Sequence, residues 1–66
     1  MRVLVIEDEQ EIREFLVGQF IEQGLEAMGL ESGDGIISKL EAFNPNVILL
    51  DQMMPGKSGA DVIREI

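Results

Sequence analysis

The sequence has no cysteine and no histidine. Disulfides, thiolate metal sites, imidazole ligands and histidine catalysis are therefore excluded for these residues. Tryptophan and tyrosine are absent too, and the only aromatics are Phe15, Phe20 and Phe43. Any core must then be built mostly from Ile, Leu, Val and Met. Basic residues are scarce, 5 against 13 acids, for a formal net charge of -8. A nucleic-acid surface needs the opposite sign, because its affinity comes from Lys and Arg neutralising phosphates. The balance argues against direct binding of nucleic acid and against docking on an anionic membrane. A hard cation or a basic partner surface suits it better, while much of the acidic excess simply keeps the chain soluble. No apolar run approaches the roughly 18 residues of a membrane span, and the opening Met1 to Ile6 run stops at an acid. With neither a spanning segment nor a signal peptide, the expected location is the cytoplasm.

What is present is a globular composition. Hydrophobic residues make up 45% of the 66, too high a share for a disordered chain. The length allows one domain at most, over residues 1–66, and a chain of this size buries only about 60% of the surface its unfolded form exposes. Its own stability is expected to be marginal.

Val3 to Ile6 form a continuous apolar, β-branched-rich run, the pattern of a strand covered on both faces. After Glu7-Asp8-Glu9 the period changes. Ile12, Phe15, Leu16 and Phe20 fall at helical spacing, with Glu11, Arg13, Glu14 and Glu22 assigned to other faces. Asp8 or Glu9 is the candidate cap and Gly24 the stop. Leu25 to Leu30 read as a short second strand weakened by Gly29. Ser32-Gly33-Asp34-Gly35 is a loop in which Asp34 is placed to cap a second helix, whose face is Ile36, Ile37, Leu40 and Phe43. Asn44-Pro45-Asn46 ends that helix. Val47-Ile48-Leu49-Leu50 is a third strand that again runs into an acid, Asp51, and residues 60–66 begin a third helix after a loop.

The β-α-β-α-β-α order predicts a doubly wound parallel α/β sheet, through right-handed crossovers, with strand order 2-1-3. The Val47 strand is then an edge, although its four apolar residues read as a central strand without charge, proline or bulge to protect it. Further strands in a parent protein, or a second copy of the chain, are expected to cover it.

In such sheets ligands bind beyond the carboxyl ends of the strands, where strand order reverses. Glu7, Asp8 and Asp51 emerge there, from strands about 4.8 Å apart, so all three carboxylates can reach one point. Crowding like charges is unfavourable unless a cation offsets it. All-oxygen ligation suits Mg2+ or Mn2+. Asp51, directly after the third strand, is the best-placed nucleophile for forming an aspartyl phosphate. Each acid read alone has a simpler role as turn residue or helix cap; it is their convergence that carries the chemistry.

These residues follow a known pattern. Val3-Leu4-Val5-Ile6-Glu7-Asp8-Glu9 and Leu49-Leu50-Asp51-Gln52-Met53-Met54-Pro55-Gly56-Lys57-Ser58-Gly59 resemble the receiver domain of bacterial two-component response regulators. The resemblance implies a flavodoxin-like fold in which Asp51 accepts a phosphoryl group from a sensor histidine kinase or phosphotransfer protein. It implies that Glu7, Asp8, Asp51 and the backbone carbonyl of Met53 hold Mg2+, and that the chain is a phosphoacceptor module rather than an enzyme acting on a separate metabolite.

The departures are Glu7 where Asp is commoner, Gln52 where an apolar residue is usual, and Ser58 in place of a frequent Asp. The resemblance also implies a fourth and a fifth strand, bearing a hydroxyl residue and a lysine that complete the site. These lie beyond Ile66, and Lys57 does not take the lysine's role. The chain thus reads as the N-terminal half of a receiver domain, with phosphoryl chemistry impaired in this short form. The alternative is a structural, oligomerising half-domain without phosphorylation, self-associating through the Val47 to Leu50 edge.

Overall fold

Val3, Leu4, Val5 and Ile6 are at most 2% exposed, and the rest of the fold is arranged around them. A computed structural model gives this fold and describes residues 1–51 and 59–66. The elements are β1 (Arg2–Ile6), α1 (Gln10–Glu22), β2 (Glu26–Leu30), α2 (Ile36–Phe43), β3 (Val47–Leu50) and α3 (Gly59–Glu65). β1 pairs in parallel with β2 on one side and β3 on the other, giving the order β2-β1-β3 expected from the sequence.

Successive side chains of a strand point to opposite faces, and the two faces of β1 meet different partners. Leu4 and Ile6 pack with Ile36 of α2 and Val62 of α3 in a fully buried cluster, flanked by Leu30, Leu40, Phe43 and Leu50. On the other face α1 lies over β1 and β2, where Val5 and Leu16 border one groove. The sheet is thus doubly wound, with helices on both sides.

The helix ends correct two expectations. Glu9 occupies the N-cap position of α1, but its side chain makes no capping bond; its extra methylene makes it a poorer cap than Asp, Asn or Ser. Asp34 is one residue too early for α2, whose N-cap is Gly35. The C-terminus of α1 closes as expected around Gly24. Its N–H donates to Ile21 O at 3.0 Å and that of Leu25 to Phe20 O at 3.1 Å, the double bond of a Schellman turn.

The inward-facing, half-buried stripe of α1 is also not the one the apolar spacing suggests. Ile12 and Phe15 stay 42% and 64% exposed, whereas Arg13, Leu16, Val17 and Phe20 turn inward. Both sets fit a helical repeat, and the offset is decided by where α1 meets β2. There Gly29 leaves room for the Arg13 stem, which lies within 3.0 Å of where a Cβ on Gly29 would stand.

At the N-terminal end of the sheet Arg2 ties all three strands. Its Nε donates to Glu26 Oε2 at 2.8 Å, its backbone N–H donates to Asn46 Oδ1 at 2.8 Å, and Arg2 O accepts from the Asn46 N–H. β3 is buried on one side only: Val47 and Leu49 are 44% and 41% exposed, while Ile48 and Leu50 face the core cluster.

Gly33 is buried, and a Cβ added to it would run into Cγ2 of Val62. Val62 is itself fully buried and has no room to retreat. Gly33→Ala is expected to destabilise the fold by about 1–3 kcal/mol through overpacking. Gly18→Ala, on the exposed side of α1 with nothing within 4 Å of the new Cβ, should stabilise it by roughly 0.5–1 kcal/mol. Urea unfolding of the two variants beside the parent checks both signs.

Candidate metal centre

The site follows from strand register. Ile6 and Leu50 are direct partners across β1 and β3, so the next residue on each strand is an acid, Glu7 on one and Asp51 on the other. The ladder continues past the strand ends to fix these backbones. The Asp51 N–H donates to Ile6 O at 3.0 Å, and the Glu7 N–H donates to Leu30 O at 2.9 Å. Asp8 follows at the entry to α1. Glu7, Asp8 and Asp51 are all half-buried, and each offers a carboxylate oxygen within 4.8 Å of the others. The convergence expected from the sequence is therefore present.

Such crowding has an electrostatic consequence. The pKa of Glu7 is pushed from the ordinary 4.5 to about 7, first by a hydrogen bond with Asp51, then by burial, by a hydrogen bond with Asp8 and by repulsion from the Asp51 charge; the Glu9 backbone offsets part of this. Glu7 Oε2 is buried with no hydrogen-bond partner among the described residues. These features fit a hard divalent cation: the donors are all oxygen and anionic, and one buried oxygen lacks a partner. The three carboxylates could hold such an ion beside a groove of about 190 Å³, bordered by Val5, Leu16 and Leu49 together with Glu7 and Asp51.

A larger cavity of about 440 Å³ opens at the end of β2, beside Arg13, Glu31, Asp34 and Lys39. Its charges are mixed and it includes none of the three clustered acids. Met53, the fourth expected ligand through its carbonyl, lies outside the described residues. One contributor was missed at the level of sequence. Arg13, placed there off the apolar face, sends Nη1 to Glu7 O at 2.9 Å. Its signal was present in the repeat Arg13, Leu16, Val17, Phe20, which matches a buried helical stripe as well as the one favoured for its apolar residues.

Comparison with known proteins agrees with this geometry. Residues 3–66 match the model of the response regulator receiver domain. The chain belongs to that family. It is 37% identical over 65 residues to the phosphate regulon transcriptional regulatory protein PhoB of Escherichia coli, covering 98% of this chain and 28% of PhoB. Among solved structures it resembles the response regulator TrrA of Thermotoga maritima in complex with Mg2+-BeF, at 40% identity and a TM-score of 0.87, over 98% of this chain and 56% of that one. It also resembles a crystal structure of the histidine kinase ThkA in complex with TrrA, at 39% identity and a TM-score of 0.84, over 97% of this chain and 55% of that one. The receiver-family chain described here therefore spans under a third of PhoB and about half of the TrrA chain. Among the described residues no helix is long and apolar enough to cross a membrane.

The raised pKa of Glu7 sets a pH dependence. The folded protein keeps the Glu7 proton up to about pH 7, whereas the unfolded chain releases it near its ordinary value. Between those pH values the folded state binds more protons, so stability from this group is full below about pH 4.5 and is lost as pH rises through about 7. A divalent cation acts in the opposite sense, binding the deprotonated cluster. Thermal melts without metal should fall from pH 5 to pH 8, millimolar Mg2+ should recover the loss mainly at pH 8, and Glu7→Gln should flatten the metal-free slope. An unchanged slope in Glu7→Gln would refute the assignment.

Proposed function

We propose that this chain is the N-terminal half of a receiver domain, and that Asp51 is the phosphoacceptor of a two-component phosphorelay. The observation carrying this is the convergence of Glu7, Asp8 and Asp51 within 4.8 Å at adjoining strand ends. Likeness to a response regulator bound to Mg2+-BeF and to one bound by a histidine kinase supports it. A carboxylate oxygen of Asp51 attacks the phosphorus of a phosphohistidine on a sensor histidine kinase or phosphotransfer protein. The new O–P bond forms as the P–N bond breaks, and the electron pair stays on the imidazole nitrogen. Glu7 and Asp8, with Asp51 and the carbonyl of Met53, are the ligands we assign to Mg2+. When bound, the cation neutralises charge on the transferred phosphoryl oxygens. The β1–β3 register holds Asp51 beside Glu7 and Asp8, which pre-positions the acceptor among its proposed cation ligands. The module accepts a phosphoryl group and does not turn over a separate metabolite.

The test is phosphorylation of the whole protein by a small phosphodonor with Mg2+, followed by intact-mass and peptide analysis. One phosphoryl group on Asp51 is expected. It should vanish in Asp51→Asn, and the rate should drop at least tenfold in Asp8→Asn. Modification that survives in Asp51→Asn would remove Asp51 from the role.

A second reading, of an oligomerising half-domain, is favoured by one observation. β3 is an edge strand among the described residues, with Val47 and Leu49 each more than 40% exposed. Unprotected apolar edges pair with other chains. For the 66 residues taken alone, two copies joined antiparallel along β3 would hide both edges. Size-exclusion chromatography with light scattering should then show a dimer at micromolar concentration, and Val47→Lys should return it to monomer. A compact parent monomer overturns this reading while leaving the phosphoacceptor proposal intact.

A further inference from the structure

Arg13 stands at the junction of three features. Its guanidinium donates from Nη1 to the backbone carbonyl of Glu7 at 2.9 Å in a partly buried bond. Its stem runs across β2 at Gly29, where a Cβ would lie 2.8 Å from Arg13 Cγ, 3.0 Å from its Cδ and 3.2 Å from Val17 Cγ2. Gly29 in turn is the β2 partner of Val5, one residue from the end of β1. A missing side chain on one strand thus opens a slot, a helix side chain fills it, and the tip of that side chain grips the turn carrying two of the three clustered acids.

Alternative roles for Arg13 fit less well. Among the described residues the ion pairs are those of Arg2 with Glu26 and Arg64 with Asp61, and Arg13 joins neither. The recorded bond goes to a peptide oxygen, so its effect is on the path of the backbone. The Glu7 peptide lies between β1 and α1, and its orientation sets where the Glu7 and Asp8 side chains begin. A charge-assisted bond to a partly buried carbonyl is among the stronger hydrogen bonds available to such a turn. Groups that orient metal ligands without touching the metal commonly change affinity about 10–100-fold when removed.

We propose that Arg13, seated in the Gly29 slot, is a positioning residue that holds the Glu7-Asp8 turn in the geometry able to bind a divalent cation beside Asp51. The inference rests on the phosphoacceptor reading for its purpose, and on the Arg13–Glu7 and Arg13–Gly29 contacts for its substance. It makes an unusual demand on sign. If the guanidinium acted on the site through its charge alone, its removal would relieve repulsion and tighten cation binding. If it acts by position, removal weakens binding.

The experiment is Mg2+ titration of the whole protein by calorimetry, for the parent, Arg13→Ala, Arg13→Lys, Gly29→Ala, Asp8→Asn and Arg2→Ala. Alongside it, the Glu7 carbonyl and the Glu7 and Asp8 amides are followed by NMR without metal. Arg13→Ala is expected to weaken Mg2+ on the order of tenfold and to shift the Glu7 carbonyl resonance. Arg13→Lys, which keeps the stem and one donor, should recover part of both. Gly29→Ala should imitate Arg13→Ala by closing the slot. Arg2→Ala cuts the ties at the opposite end of β1, so it should lower stability and leave Mg2+ affinity unchanged. Equal or tighter binding in Arg13→Ala, or no recovery in Arg13→Lys, overturns the proposal. Should the parent bind no Mg2+, the metal assignment falls by itself. The metal-free resonances then decide for Arg13: a displaced Glu7 carbonyl in both Arg13→Ala and Gly29→Ala upholds its hold on the turn, and an unmoved one ends it.

Discussion

The pairing of Ile6 with Leu50 across β1 and β3 is the constraint on which the site depends. It places the first residue beyond each strand side by side, and both are acids. Hydrogen bonds from Asp51 N–H to Ile6 O and from Glu7 N–H to Leu30 O carry the ladder one step further, so neither backbone can drift to relieve the repulsion. The free energy that keeps the carboxylates together comes from below, from four nearly inaccessible β1 side chains. A register slip of one residue would turn every β1 side chain to the other face and disperse the site at the same time. Fold and function share one specification.

That sharing explains why the Glu7 carboxyl is perturbed. Glu7 sits directly after the central strand, meets Asp51 on one side and Asp8 on the other, and has its Oε2 shut from solvent. Its raised pKa records stability given up to hold anionic oxygens in one place. An acidic pocket held in this way is the setting in which a divalent cation, by offsetting the crowded charge, would return part of that cost.

Much of this was legible in the sequence because the informative signals were local or nearly so. Two apolar runs ending in acids gave the strands, their order in a parallel sheet gave the crevice, and the segments around Asp8 and Asp51 gave the family. The misses share another physical origin. Capping by Glu9 or Asp34 turned on one-residue offsets and side-chain length, which composition does not resolve. The inward face of α1 was misplaced because two stripes, Ile12-Phe15-Leu16 and Arg13-Leu16-Val17, have the same period. Choosing between them required knowing that β2 presents a glycine opposite Arg13. That is a tertiary fact, and it turned a residue placed off the apolar face into one that touches the site's own backbone.

The two arginines at opposite ends of the sheet make the same point in energetic terms. Arg2 pairs with Glu26 where both side chains are about half exposed or more, and an ion pair so well hydrated contributes little, on the order of 0–1 kcal/mol. Arg13 makes no such pair among the described residues, yet its bond to Glu7 O is partly shielded and its stem is fitted against Gly29 of β2. A charge matters less for the sign of its neighbour than for how far water is kept from the contact. On that criterion the arginine that looks idle in a count of salt bridges is the one able to govern the turn at Glu7.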